Sequence, residues 1–587
     1  MLDPRIYRMG MVPVLLAVIV LAFSLNDQQG PLGTNLAPDA YSGANAFSTM
    51  KALAKSYPDR RPGSLADHQA AAYVARQLRG DGLAVSTSSF RGRTVDGTRT
   101  LENVVGVRAG QENGSIVVVA DRDALGSPAA AEASGTAVLL ELAQVLTGET
   151  LQHSVVLAST GSAAGAAGAA RLASTLQQPV DAVIVLGDMA GTEVRKPTVV
   201  PWSNTEQVAP PVLRNTVASA LATQTGMAPG TTGLIGQIAH LAFPMVASEQ
   251  GPFGGSGEPA VLLSLSGERG PAATEPTSLS QISAMGRTVL QTVTALDAGP
   301  AVPAPSTYLS LSGKSIPVWA VRLLVLVLIL PVLVTTIDGL ARARRRGHSI
   351  VRWVAWVLLA ALPFALAATL VLAARAVGLI GAAPPGPVGV GAISLQDGGL
   401  SLLVGLAVVI VAGLVWLRPA LARLLRARPD HGPYGDGAAA GVLLVLCVVA
   451  LAVWLTNPFA ALLLVPALHL WMWIVVPELR LPTPAVVVLL LAGFVLPLVI
   501  AVDYADTLGL DPLQTAWSWV LLLAGGAVGL LAALEWSVVL GCAFSVIAIV
   551  VRAARQPRPE QAPVTIRGPV SYAGPGSLGG TESALRR

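Results

Sequence analysis

Charge is what this 587-residue sequence has least of: 12% of its residues are Asp, Glu, Lys or Arg, about half the ~25% usual in soluble domains. With 53% hydrophobic residues and a mean hydropathy of +0.63, that scarcity excludes a soluble cytosolic protein and a disordered chain. A net charge of only +4 leaves no basic surface for a nucleic acid. Lysine is nearly missing, with Lys51, Lys55, Lys196 and Lys314 the only ones among 38 basic residues. Such an arginine bias reflects a GC-rich, bacterial genome rather than a function. Cysteine is scarcer still. Cys447 and Cys542 both lie in apolar runs, so neither a disulfide framework nor a thiolate metal site is available. What remains is an integral membrane protein.

Met11 to Leu25 is an apolar run preceded by Arg5 and Arg8. The following LAFSLNDQQG lacks a small-x-small cleavage site, so the run reads as an uncleaved signal anchor rather than a cleaved signal peptide. Residues 26–315 then hold no apolar run of ~18 residues, the usual minimum for a spanning helix. They alternate short apolar strands with amphipathic stretches, as an α/β domain does. From Pro317 onward, apolar runs cover 317–337, 353–374, 399–417, 438–455, 458–476, 484–502 and 516–551. The last is long enough for a hairpin turning near Glu535, or for one span plus an interfacial segment.

Basic residues orient the spans. The 338–352 loop holds Arg342, Arg344, Arg345, Arg346 and Arg352, and the 418–437 loop holds Arg418, Arg423, Arg426 and Arg428. The loops at 376–398 and 503–515 have no Lys or Arg, and the second carries Asp503, Asp506 and Asp511. The expected layout is a cytoplasmic N-terminus (1–10), a signal anchor (11–25) and an extracytoplasmic domain (26–315). A polytopic region of about seven spans (316–552) and a disordered Pro/Gly/Arg-rich tail (553–587) follow, in the plasma membrane. Arg552, Arg555 and Arg558 favour a cytoplasmic tail, hence eight spans in all; a hairpin at Glu535 would give nine.

Within 26–315, RRPGSLADHQAAAYVARQLRGDGLAV (60–85) reads as a turn, an amphipathic helix and a strand. ENVVGVRAG (102–110) and SIVVVADRDALG (115–126) read as strands, and AAAEASGTAVLLELAQVL (129–146) as a helix opening on small residues. HSVVLASTGSAAGAAGAARLAS (153–174) is a strand with a following helix, and VDAVIVLGDMAG (180–191) a further strand. This order of strings resembles the co-catalytic di-zinc aminopeptidase superfamily, which includes the glutaminyl cyclases, over about 45–295. The resemblance implies an α/β domain with a mixed central sheet flanked by helices, joined here to a multi-span α-helical membrane domain.

The resemblance also locates the family's metal ligands, and most are replaced. Asp121 stands where the first His ligand is expected, with the following Asp kept as Asp123. Ala131 stands at the bridging Asp, and Ser162 and Ala163 at the paired Glu that supply the base and a ligand. Asp188 keeps its family residue, and Gln250 stands at the final His, with Glu249 in place of the Asp before it. Ser134–Gly135, Gly165, Gly168 and Pro252–Phe253 hold the register on both sides of each loss. The histidines do not compensate: His68 lies on the first helix, His153 begins a strand, and His240 precedes a strand-like run. No catalytic residue and no zinc are therefore expected, and zinc would be implied only by a displaced register. If the fold holds, Asp121, Asp123, Glu132, Asp188 and Glu249 would lie near one another, an arrangement that suits Ca²⁺ or Mg²⁺.

In the membrane half, His469 is the polar residue deep inside a span, flanked by Pro466, Trp471 and Trp473; helix–helix hydrogen bonding or a proton relay would each place it there. The whole layout resembles the membrane metallopeptidases of the endoplasmic reticulum, which keep their ligands, and the aminopeptidase-like subunit of the GPI transamidase, which lacks them. The expected function is that of a catalytically inactive peptidase-like scaffold that binds a peptide, a lipid-linked glycan or a partner membrane enzyme beside the bilayer. The alternatives are a metallohydrolase with an altered metal site, and a transporter or flippase with a regulatory exported domain.

Overall fold

The computed structural model describes residues 4–555 apart from 35, 128, 162–163, 177–178, 348, 382, 394, 396–397, 426, 428–435 and 476–480. The 553–587 tail of the sequence analysis thus falls almost wholly outside the described residues. The strands in chain order are β1 (Asn26–Asp27), β2 (Ala84–Thr94), β3 (Gly97–Arg108), β4 (Ser115–Asp121) and β5 (Ser154–Thr160). β6 (Ala182–Leu186), β7 (Val199–Val200), β8 (Ala260–Leu263), β9 (Tyr308–Leu311) and β10 (Lys314–Pro317) follow.

Seven of them form one mixed sheet in the order β2-β3-β5-β4-β6-β8-β7. The core β5-β4-β6-β8 is parallel, and β2, β3 and β7 pair antiparallel at its edges. The unbroken apolar runs of β4 and β6 suit parallel strands covered on both faces. Side-chain alternation then sorts the core. Ile116, Val118 and Ala120 of β4 pack under helices Gly43–Ser56, Leu65–Gly80, Ser134–Val145, Pro211–Thr225 and Leu279–Asp297. Three of these helices start where Ser42, Ser64 and Ser278 accept the backbone N–H three residues on. Val117 and Val119 face the short helices Ala167–Ala173, Leu234–Ala242 and Gln250–Gly255.

That second face is where the domain meets the apolar helical half, because its core runs on into Val325, Phe459 and Trp471. The contact is also polar. Asn457 Nδ2 donates to Leu241 O at 2.7 Å, and Tyr504 Oη to Phe243 O at 2.6 Å. Arg93, beside the β2–β3 turn, donates to the carbonyls of Ala383 (3.0 Å) and Gly525 (2.9 Å). A small antiparallel sheet, β1-β10-β9, ties the exit of the first helix to the entry of helix Val318–Arg345. Strands this short carry no periodicity and are not legible in the sequence.

Among the described residues, seven helices are long and apolar enough to cross a membrane: Arg5–Phe23, Val318–Arg345, Ile350–Ala376, Gly399–Leu424, Gly437–Thr456, Pro458–Val475 and Leu530–Arg552. Thr483–Ala492 and Val495–Leu508, bent by 53°, make an eighth if they form one span. Several boundaries differ from those expected. The first helix begins at Pro4 rather than Met11, because Arg5, Tyr7 and Arg8 continue its backbone hydrogen bonding although they end its apolar run. Asp503 lies inside helix Val495–Leu508, not in a loop, for the same reason. Helix Ser134–Val145 starts later than 129, and His240 sits in helix Leu234–Ala242 rather than before a strand. The 516–551 run breaks at Gly526, whose φ of +85° ends helix Pro512–Gly525, and not at Glu535. That helix has 14 residues, about 21 Å, too short to span, so the run is one span plus a shorter segment.

Candidate functional site

In an open α/β sheet, ligands sit beyond the carboxyl ends of the parallel strands where strand order reverses. Here β4 lies between β5 and β6, and its last residue is Asp121. A cleft of about 440 Å³ opens at that point, lined by Asp121, Asp123, Glu132, Asp188 and Glu249 among others. The five carboxylates suggested by the sequence thus line one cleft, without three of them being grouped as metal ligands among the described residues. Each is placed by its element: Asp121 and Asp123 leave β4, Asp188 follows β6, Glu132 precedes helix Ser134–Val145, and Glu249 precedes helix Gln250–Gly255.

Charge is managed by arginines that the sequence reading passed over. Arg60 and Arg122 are 1% and 2% exposed. Arg60 donates to the carbonyls of Arg122 (2.8 Å) and Ala129 (2.7 Å), and its charge favours ionised Asp121 and Glu132. Arg122 Nε lies 2.8 Å from Asp67 Oδ1 in a fully buried ion pair, and its Nη2 donates to Glu102 O at 2.6 Å. Even so, burial dominates. Burial and then the Glu132 charge push Asp121 up to about 7. Burial pushes Glu132 up to about 8, with Asp123 and Asp188 adding to it against Arg60. Asp188 rises to about 6 by burial, held back by the N–H groups of Gly191 (2.7 Å) and Ala190 (3.0 Å) on its Oδ1. Glu249 rises well above the usual range by burial and the Asp121 charge, while Thr160 Oγ1 donates across both its oxygens at 2.9 and 2.8 Å.

The other positions that the resemblance would assign to ligands offer little. Ala131 is buried and apolar, and Gln250 is fully buried with neither amide atom bonded. Ser162 and Ala163 lie outside the described residues. The histidines have other partners: His68 contacts Glu102 (3.3 Å), His153 contacts Asp297 (3.6 Å), and His240 lies 3.7 Å from Glu268, which itself lines the cleft. Among the described residues, no three or more His, Cys, Asp or Glu are grouped to hold a metal ion. A donor set of carboxylates interleaved with arginines, with no imidazole, does not fit a pair of zinc ions.

These side chains sit in a domain whose relatives can be named. Residues 103–235 match the family model described as Peptidase family M28. This part of the chain is M28-like. The match agrees with the aminopeptidase-like α/β architecture and with the superfamily read from the motifs. Solved structures similar to the M28-like domain include a glutaminyl cyclase from an Acidobacteriales bacterium, 18% identical, covering 46% of this chain and 99% of its own, with a TM-score of 0.36. A zinc aminopeptidase from Bacillus subtilis is 14% identical, covering 43% and 94%, with a TM-score of 0.34. The Porphyromonas gingivalis glutaminyl cyclase is 16% identical, covering 43% and 98%, at 0.33. No curated protein matches the chain.

The M28 cleft has a further wall that the motifs did not announce. Residues 388–392, between helices Ile350–Ala376 and Gly399–Ala412 of the apolar helical half, line it together with Arg195, Glu268, Arg269 and Glu275. Gly389 is needed there: a Cβ would stand 2.8 Å from the Arg269 carbonyl oxygen. Sequence separation of more than 100 residues hides this wall from any local pattern. His469 stands apart from the cleft, within the bundle beside Tyr7.

Proposed function

We propose that this protein is a membrane-embedded M28-fold protein whose cleft holds a ligand without hydrolysing it. The observation that carries the reading is the chemistry at the family's ligand positions. Two carboxylates (Asp121 and Asp188), an apolar Ala131 and an unbonded buried Gln250 offer neither the imidazoles nor the base position that metal-assisted hydrolysis uses. The cleft itself persists, walled on one side by the membrane half. A peptide, a lipid-linked glycan headgroup or the terminus of a partner membrane enzyme would enter between the two halves. The basic loops of the sequence support a reading in which the M28-like domain lies outside the plasma membrane and the N-terminus inside.

The test uses the full chain purified in detergent. Zinc and other metals are quantified, and release of amino acids from peptides is followed with and without chelator. Substoichiometric zinc and no release support the scaffold reading. Two zinc ions per chain with chelator-sensitive release overturn it. A second reading, a hydrolase with an oxygen-ligand Ca²⁺ or Mg²⁺ site, draws on the five carboxylates around one cleft. A Ca²⁺- or Mg²⁺-dependent activity lost in Asp188→Ala, with the fold retained, would favour it.

A further inference from the structure

Arg418 opens helix Arg418–Leu424 at the arginine-rich end of the bundle, yet it is only 7% exposed. Its Nε and Nη2 have no acceptor among the described residues, and no carboxylate there pairs with it. The guanidinium lies instead between two aromatic rings, 4.3 Å from the centroid of Trp356 and 5.0 Å from that of Phe544. Arg552, at the end of the last helix, reaches the same Trp356 ring at 5.2 Å. Two cations therefore share one aromatic shelf formed by helices Ile350–Ala376 and Leu530–Arg555.

Ring faces attract a cation but accept nothing from N–H groups directed along the guanidinium plane. A guanidinium stays ionised at any accessible pH, so its buried donors carry a desolvation cost that no proton loss relieves. The neighbouring Arg552 adds like-charge repulsion. One group removes both costs: an anion with several acceptor oxygens placed between the two arginines. Trp356 lies four residues from Arg352, near the arginine-rich end of helix Ile350–Ala376, and the ends of such spans lie beside lipid headgroups. At that depth the available tetrahedral anion is the phosphate of a phospholipid, and basic recesses between spans suit anionic headgroups.

The geometry points to a binding site for an anionic phospholipid headgroup, its phosphate bridged by Arg418 and Arg552 over Trp356. The site is separate from the M28 cleft and independent of what that cleft holds.

The experiment uses delipidated full chain in detergent. Thermal unfolding is followed during titration with short-chain phosphatidylglycerol, short-chain phosphatidylcholine or inorganic phosphate, and native mass spectrometry reads the lipid bound. Phosphatidylglycerol is expected to raise the midpoint saturably, with one lipid retained and phosphatidylcholine much weaker. Arg418→Gln should weaken phosphatidylglycerol binding by about tenfold or more, the loss of a charge-assisted bond. Arg552→Gln should weaken it too, while Arg344→Gln, exposed at the same end, should not. Arg418→Lys, which keeps the charge and loses the fork, should fall between and covers the case in which Arg418→Gln does not fold. Equal binding of phosphatidylcholine by the wild type, or unchanged binding in Arg418→Gln, overturns the site. An equal shift from inorganic phosphate would make the occupant a soluble anion and overturn the lipid assignment.

Discussion

Tyr7 and His469 are joined across 462 residues: the phenol hydroxyl lies 2.8 Å from Nδ1, and the ring's Nε2 lies 2.9 Å from the carbonyl oxygen of Leu328. A carbonyl only accepts, so Nε2 carries the hydrogen and Nδ1 receives that of Tyr7. The first helix is thereby stapled to two others, and Gly10 lets it approach Pro331, where a Cβ would meet Cα at 2.7 Å. Both ring nitrogens are occupied by structure, which favours the helix–helix role of His469 over a proton relay.

Tyr7→Phe and His469→Ala should therefore each destabilise the bundle by about 1 kcal/mol, the usual scale for an interhelical bond in a membrane. Thermal unfolding in detergent reads the loss, and the double variant should cost less than the sum because the two share one bond.

Stability should fall as pH rises from about 6.5 to 8, with Glu268 contributing alongside Asp121 and Glu132. Burial, and then the Asp503 charge, pushes the Glu268 carboxyl up to about 8, opposed by the Ala247 N–H. A carboxyl raised above its unfolded value near 4.5 contributes stability that is full below that value and is lost as pH rises through about 8. His240, stacked on Trp202 at 5.0 Å and edge-on to Tyr504 at 5.4 Å, is pushed down to about 3 by burial. Its contribution runs the other way, present above 6.5 and lost as pH falls towards 3. The 3.7 Å contact between them therefore joins two neutral groups and is not an ion pair. Glu268→Gln should lessen the decline of the unfolding midpoint between pH 6.5 and 8, and should leave the slope unchanged only below about pH 4.5.

Arg93→Ala should loosen the M28-like domain from the apolar helical half. It removes two charge-assisted bonds to the carbonyls of Ala383 and Gly525 and should cost about 1.5–3 kcal/mol. Faster proteolysis within 381–393 at unchanged overall helicity would report the loosening.

Arg122→Met should be the most destabilising of these changes, by about 3–5 kcal/mol, because it strands a buried carboxylate. Asp67 is fully buried and its ion pair with Arg122 is 2.8 Å. Adding Asp67→Leu should recover part of the loss, read again from the unfolding midpoint.

The strands were legible where their burial is symmetric. SIVVVAD and AVIVL must lie between two layers whatever surrounds them, and they became β4 and β6. The short helices at the cleft were less so, because Leu234–Ala242 and Gln250–Gly255 are held by contacts with the sheet and the bundle rather than by a long periodic run. The carboxylate cluster was legible as residues but not as chemistry. Nothing local to Arg60 or Arg122 says that their guanidinium groups turn inward among the acids.

Sequence alone determined the division into an α/β half and an apolar half, and the aminopeptidase-like character of the first. Each of these is written in runs and strings read over a few residues. Only the tertiary structure decided that residues 388–392 of the second half wall the cleft of the first, that Tyr7 closes on His469, and that Arg418 and Arg552 meet over one indole. Those are pairings between segments more than 100 residues apart, and their energy comes from burying polar and aromatic groups against each other, which no window of sequence contains.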